Sequence, residues 1–286
     1  MSNLPPQPTS PGGPLDAARG VLRDALGGLG NLVQLLQSIR VGPKALAAVL
    51  PDVHASCAPL SAAVRELLSA VGKALPDAAP ADALREFFEP RIQELERSLL
   101  RAMRGPINAS SRLELERVVK RVYPELDAAR ELVDLLEDAV RGRNVRVSVI
   151  ELLRQASAGE RARPEEAIKV TLSVATATPE LSVNPRVALV LFAIAANLVS
   201  GGNPQKHVRI SAASRDSGEC AVSFEAGDGD GERRSIVARV PIAPALACAE
   251  AAARACSARI ERASDGSKLA IVWSSDASLR PNGLER

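Results

Sequence analysis

The sequence predicts an α+β chain: an all-helical bundle followed by a two-layer α/β sandwich. Three observations lead there. Apolar residues recur every three to four positions up to about Arg143 and alternate beyond it, a change from helical to strand period. Aromatic residues make up only 2% of the 286, so the core must be built from Leu, Val, Ile and Ala, which suits packed helices. Asn184-Pro185 opens a helix just upstream of glycine turns and alternating runs, which sets a helix against a sheet. The resulting divisions are a Pro/Ser/Gly-rich tail, 1–14, read as disordered; a helical bundle or dimerisation region, 15–143; the sandwich, 144–275; and a frayed tail, 276–286.

The first helix is expected over Asp16–Ser38, on the stripe Val21, Leu22, Leu26, Leu29, Val33 and Leu36. Gly27, Gly28 and Gly30 each weaken it by about 1 kcal/mol relative to Ala. A second helix starts near Pro43 and carries Leu46, Leu50, Val53, Leu60, Val64, Leu67 and Val71, with Pro51 and Pro59 expected to kink or split it. Pro76–Pro80 reads as a loop. A third helix, Asp82–Met103, turns Leu84, Phe87, Phe88, Ile92, Leu95, Leu99 and Leu100 inward and stops at Gly105-Pro106. Ser111-Arg112-Leu113-Glu114 has the capping-box pattern that opens a fourth helix, kinked at Pro124 and closed by Arg141–Asn144.

Past that point Val145, Val147 and Val149 predict a strand, Ile150–Ala156 a short helix and Ile168–Val174 a second strand. Leu181 and Val183 lead into the helix capped by Asn184, whose apolar face is Val187, Val190, Leu191, Ile194 and Leu198. After Gly201-Gly202, Val208/Ile210 and Val222/Phe224 alternate on either side of a turn at Asp216–Gly218, as in a hairpin. A strand at Ile236–Pro241, an alanine-rich helix at Pro244–Ala258 and a hairpin about Asp265-Gly266 complete the order.

The stretch Asn184–Gly231, with its flanks, resembles the ATP-binding domain of sensor histidine kinases, the Bergerat or GHKL fold. In that family a helix with two asparagines four apart holds Mg-ATP, and a following strand ends in an Asp-x-Gly-x-Gly turn that holds adenine. The resemblance places Ala193 at the first asparagine and Asn197 at the second, the magnesium ligand. The turn here is Glu225-Ala226-Gly227-Asp228-Gly229-Asp230-Gly231, so Glu225, Gly227 and Gly229 are the candidate nucleotide contacts. With the strand alternation kept, Ala226 stands where the adenine-reading aspartate should be, and Glu225 replaces it only after a one-residue slip that changes its face. The family's phosphate-holding glycines have no counterpart in Glu232–Cys248, where the anion-binding amides of a helix start would lie. Leu126–Val140 is similar to the second helix of the kinase dimerisation hairpin, which pairs with a second copy in a four-helix bundle.

Histidine kinases of the commonest type carry His-Glu-x-x-x-Pro-Leu. This chain has His54-Ala55-Ser56-Cys57-Ala58-Pro59-Leu60, with the histidine, proline and leucine in place and alanine instead of the acid that orients the imidazole. His54 is therefore the phosphoacceptor candidate, and a helix-surface histidine is the alternative.

Net charge +2, without a basic patch interleaved with aromatics, excludes a nucleic-acid binder. Cys57, Cys220, Cys248 and Cys256 form no Cys-x-x-Cys pair, and only two histidines are present, which argues against a zinc site and for buried thiols in a reducing compartment. Asp228 and Asp230 read as exposed turn acids rather than a metal site. No apolar run approaches a membrane span, so a cytoplasmic protein without membrane insertion is expected. The resemblance implies a catalytically inactive histidine-kinase-like scaffold. It would be a homodimer binding a response regulator or a histidine kinase, with no cofactor. The alternatives are a histidine phosphotransferase acting through His54 and a regulatory ATP-binding protein using Mg-ATP at Asn197.

Overall fold

A computed structural model of the chain describes residues 14–38, 42–157, 167–174, 180–203, 206–215, 218–227, 232–237 and 242–274. The terminal tails, most of the turn at Asp216–Gly218, and Asp228, Gly229 and Asp230 lie outside the described residues. The helices are α1 Pro14–Gln37, α2 Pro43–Cys57, α3 Leu60–Ala74, α4 Ala79–Arg104, α5 Ala109–Arg141, α6 Val149–Ala156, α7 Pro185–Ser200 and α8 Ile242–Ala255. The strands are β1 Val145–Ser148, β2 Ala167–Val174, β3 Glu180–Val183, β4 Val208–Ser214, β5 Cys220–Ala226, β6 Glu232–Val237, β7 Ala258–Arg262 and β8 Lys268–Trp273.

The chain separates into two compact units. One contains α1, α2, α3 through Ala70, α4 from Arg85 and α5 through Asp127; the other contains Val71–Leu84 and everything after Asp127. The helical period ends near Arg141, but compactness divides α5 itself, so its last turns belong with the strands.

In the helical unit, Pro59 does split the second predicted helix, ending α2 and starting α3. Pro51, Pro90 and Pro124 sit inside helices that continue past them. Packing on both sides outweighs the one lost hydrogen bond at each. The start of α5 differs from the expected capping box. Asn108 Oδ1 accepts from Ser111 N at 2.9 Å and Ser111 Oγ accepts from Asn108 N at 3.0 Å, a reciprocal cap three residues earlier. Taken together, Pro43–Ala74 is long and apolar enough to cross a membrane by length and composition. Its stripe Leu46, Leu50, Val53, Leu60 and Leu67 is buried in this fold.

The strand-containing unit has a six-stranded mixed sheet in the order β6-β2-β4-β5-β8-β7 and a two-stranded sheet of β1 with β3. Only β2 and β4 run parallel, and the segment between them includes β3 and α7. Leu181 and Val183 are thus a strand, registered with Val147 and Val145. The strand expected from Ile236 starts earlier, at Glu232, so Arg233 and Arg234 pair with Thr171 and Val170 as part of β6. Ladder formation along β2 overrides their polar character.

Residues Cys220, Val222 and Phe224 of β5 register with Trp273, Ile271 and Leu269 of β8 on one face of the sheet. Against that face Phe192 of α7 meets Phe224 at 5.9 Å and Trp273 edge-on at 6.1 Å. The core side of α7 is broader than its apolar spacing predicts: Ala188, Phe192, Ala195 and Ala196 are buried beside Val187, Leu191 and Ile194, while Val190 and Leu198 are only half-buried.

Asn184 ties α7 to the end of α5. Its Oδ1 accepts from Arg186 N at 3.0 Å, the predicted cap, and its Nδ2 donates to the carbonyl of Asp138 at 3.1 Å. Arg186 adds an ion pair to Asp138 at 3.2 Å. Gly142 lies against this junction, where a β-carbon would stand 1.8 Å from Asn184 Nδ2. Gly142→Ala is expected to lower the free energy of unfolding by about 1–3 kcal/mol, the cost of overpacking. Urea denaturation checks it, and an unchanged midpoint would show that the junction yields freely.

Candidate functional site

The helix that the sequence singles out, α7, ends in a Schellman turn. Gly201, at φ +64°, has its N–H bonded to Leu198 O at 3.2 Å, and Gly202 N donates to Asn197 O at 3.0 Å. Ser200 Oγ also donates to the Asn197 carbonyl, at 3.0 Å. Asn197 is buried, and its main chain closes the helix.

One turn earlier, Ala193 lines a cleft of about 500 Å³. Its walls come from α7 (Arg186, Leu189, Val190), the end of α6 (Gln155, Ala156) and the last turns of α5 (Arg130, Glu131, Asp134, Leu135, Asp138). Three carboxylates face two guanidiniums there, and Arg186 reaches Asp138 at 3.2 Å and Asp134 at 4.0 Å. A polyanion entering this space would meet a net negative wall whose cation Arg186 is already paired.

The candidate turn after β5 is arranged differently. Phe224 faces α7, so the pleat turns Glu225 to the opposite face of the sheet. There its carboxylate pairs with Lys268 at 2.5 Å and with Arg209 on the neighbouring strand. Lys268 first and Arg209 second hold its pKa below the ordinary carboxylate range. Ala226, the residue at the adenine-reading position, is exposed and offers no side-chain polar atom. Gly227, at φ +136°, donates its N–H to His207 O at 2.9 Å, so that amide serves the end of the β4–β5 ladder. Gly229 lies outside the described residues. The described start of α8, Ile242-Ala243-Pro244-Ala245, contains no glycine.

His54 is half-buried in the last turn of α2, and its carbonyl accepts from Ala58 N at 2.9 Å. It does not belong to the hairpin that leads into the strands. That hairpin is α4 with α5, held antiparallel by Arg91–Glu125 at 2.6 Å, Glu94–Arg121 and Arg101–Glu114. On α4 the run Arg85-Glu86-Phe87-Phe88-Glu89-Pro90-Arg91 has Glu86 and Pro90 at the spacing of the kinase motif, with arginines in the histidine and leucine positions. The sequence contains the signal, but which helix pairs with α5 is legible only from packing.

The four cysteines are buried. Burial, with Glu96 adding to it, pushes Cys57 up to about 12, and burial alone pushes Cys248 up to about 12 and Cys220 and Cys256 up to about 11. None supplies a thiolate nucleophile at neutral pH.

The open face of the sheet carries a lattice of ion pairs. Arg215 grips Glu261 through both guanidinium nitrogens, at 3.1 and 2.8 Å, and Arg259 grips Glu219 the same way, at 2.5 and 3.1 Å. Arg259 Nε also reaches Glu261 at 3.0 Å. Arg259 registers with Val272 and Glu261 with Ala270, and Val272 opposes Ala221. Those three small apolar residues form a buried cluster on the face that carries these charged side chains.

No family model matches the chain, and no curated protein matches it. Among solved structures the chain is similar to the Acinetobacter baumannii histidine kinase AdeS, at 14% identity and a TM-score of 0.42, over 65% of this chain and 95% of that one. It is similar to the Erythrobacter litoralis EL346 blue-light activated histidine kinase, at 14% and 0.30, over 69% of this chain and 60% of that one. A histidine kinase from Burkholderia phymatum STM815 matches at 15% and 0.35, over 71% and 95%.

Hydrogen bonds from Arg215 and then Arg259 lower Glu261 to about 2. Its unfolded value is near 4.3. A carboxylate depressed in the fold contributes stability above its unfolded pKa and loses it as pH falls through the folded one. The contribution is modest because the pair is exposed and screened. Glu261→Gln should therefore lower the urea midpoint at pH 7, and the gap to the unsubstituted protein should close between about pH 4 and pH 2. A gap of constant size across that window would show that the lattice adds nothing.

Proposed function

We propose that the chain is a catalytically inactive, histidine-kinase-like signalling scaffold that binds two-component partners, a response regulator or a histidine kinase. The observation that carries this reading is the face of α7 that would confront a nucleotide. It presents Ala193 in place of an asparagine, toward a cleft with a negative wall in which Arg186 already pairs with Asp138 and Asp134. Phosphoryl transfer depends almost wholly on positioning and charge stabilisation. Glu225 turned to the opposite face, Gly227 N–H committed to His207 O and a glycine-free start to α8 all remove grips on a nucleotide. Arg85 at the histidine position of α4 supports the same reading, because a guanidinium that stays protonated lacks the free nitrogen lone pair with which a neutral imidazole attacks a phosphoryl group.

A fluorescent ATP analogue with Mg²⁺ should show no saturable binding up to about 1 mM, weaker than about −4 kcal/mol. Incubation with γ-labelled ATP should leave the purified protein unlabelled. Tight saturable binding lost in Asn197→Ala would establish the regulatory ATP-binding alternative, and autonomous labelling would end the inactive reading.

The second reading, a histidine phosphotransferase, has one observation in its favour: His54 is half-buried rather than enclosed. Label passing from a phosphorylated response regulator to the protein, and lost in His54→Ala, would establish it. Binding of the regulator without transfer supports the scaffold.

A further inference from the structure

The apolar stripes of α4 and α5 have a partner inside their own chain. Ion pairs set α4 antiparallel to α5, matching Arg91 with Glu125, Glu94 with Arg121 and Arg101 with Glu114. On its other flank α5 runs antiparallel to α1. Arg112 Nη2 donates to the carbonyls of Leu36 and Ser38, both at 2.9 Å, and a β-carbon at Gly30 would stand 3.1 Å from Tyr123 Oη. Next, α1 packs on α2, where a β-carbon at Gly28 would lie 3.9 Å from Ser56 Cβ. Finally, α2 returns to α4: Ala47 and Leu50 line one groove with Ala102 and Met103. Four antiparallel neighbours, α1-α2-α4-α5 and back to α1, close a ring.

The interior of that ring is filled. Leu29 and Leu32 of α1, Leu50 and Cys57 of α2, Phe88, Leu95 and Leu99 of α4, and Val119, Val122 and Leu126 of α5 have no exposed surface in the single chain. The exposed large apolar side chains of this unit, among the described residues, are Met103 and Leu113. A specific protein–protein interface buries about 1,600 Å² around an apolar centre. Two isolated side chains do not supply such a centre.

We infer that the bundle is complete within one chain, the α1–α2 hairpin standing where a second copy's hairpin would pack against α4–α5, and that the protein is a monomer. The homodimer expected from the sequence rested on the resemblance and on the need to bury these stripes, and the second of these grounds is met in cis. A partner then docks on the outside of the bundle or on the sheet unit, not by contributing helices to a shared core.

The test uses the full chain. Light scattering after size exclusion, over about a hundredfold range of concentration, should give the mass of one chain, 30.1 kDa, at every point. Two co-expressed copies with different tags should not be retained together. A mass of twice that value, or co-retention of the tags, overturns the inference, including the case in which α1–α2 hairpins are exchanged between two copies. Neither readout depends on whether ATP or a response regulator binds.

Discussion

The Asn184 carboxamide is the contact on which the strand-containing unit depends. One side chain satisfies an amide at the start of α7 and a carbonyl near the end of α5. These are groups of opposite partial charge at two helix ends, so a single residue serves both only while the ends stay in register. Gly142 leaves the room that this register needs, and Arg186, two residues further along the same helix, repeats the link to Asp138 with a charge. The direction of α7 over the sheet, the width of the cleft beside Ala193 and the attachment of the last turns of α5 all follow from it.

The polar groups of the sheet unit are spent on structure. Period-2 alternation sends Phe224 to the helix side and Glu225 to the open side, where two cations hold it. The end of α7 uses the Asn197 carbonyl to stop the helix, and Gly227 closes a ladder. The Glu225 carboxylate and the Gly227 amide are thus held by local geometry, and the scaffold reading draws on that.

Much of this was legible in the sequence because it rests on short-range rules. The Asn184-Pro185 start of α7, its Gly201-Gly202 stop, the two hairpins and the split at Pro59 are all set by residues within a few positions of one another. The change of face at Glu225 followed from the pleat alone. What escaped depends on distant partners. β3 exists because Leu181 and Val183 meet Val147 and Val145, and β6 starts at Glu232, ahead of the expected Ile236, because β2 offers a partner that far along. The cap of α5 moved to Asn108 because reciprocal bonding with Ser111 was available. The cleft beside Ala193 could not be foreseen, since its walls come from three separate segments, 130–138, 155–156 and 186–193. Likewise the closing of α1–α2 on α4–α5 is a matter of packing, which apolar stripes announce without naming their mates.

The two rims of the six-stranded sheet have a bearing on recognition. The outermost strands are β6 and β7, and each is studded with charge: Glu232, Arg233 and Arg234 on one, Arg259, Glu261 and Arg262 on the other. An incoming extended peptide would have to strip water from these groups to zip its backbone alongside. Recruitment by strand addition is thereby discouraged at both margins. The charged margins thus keep the described sheet from pairing with a stray extended chain.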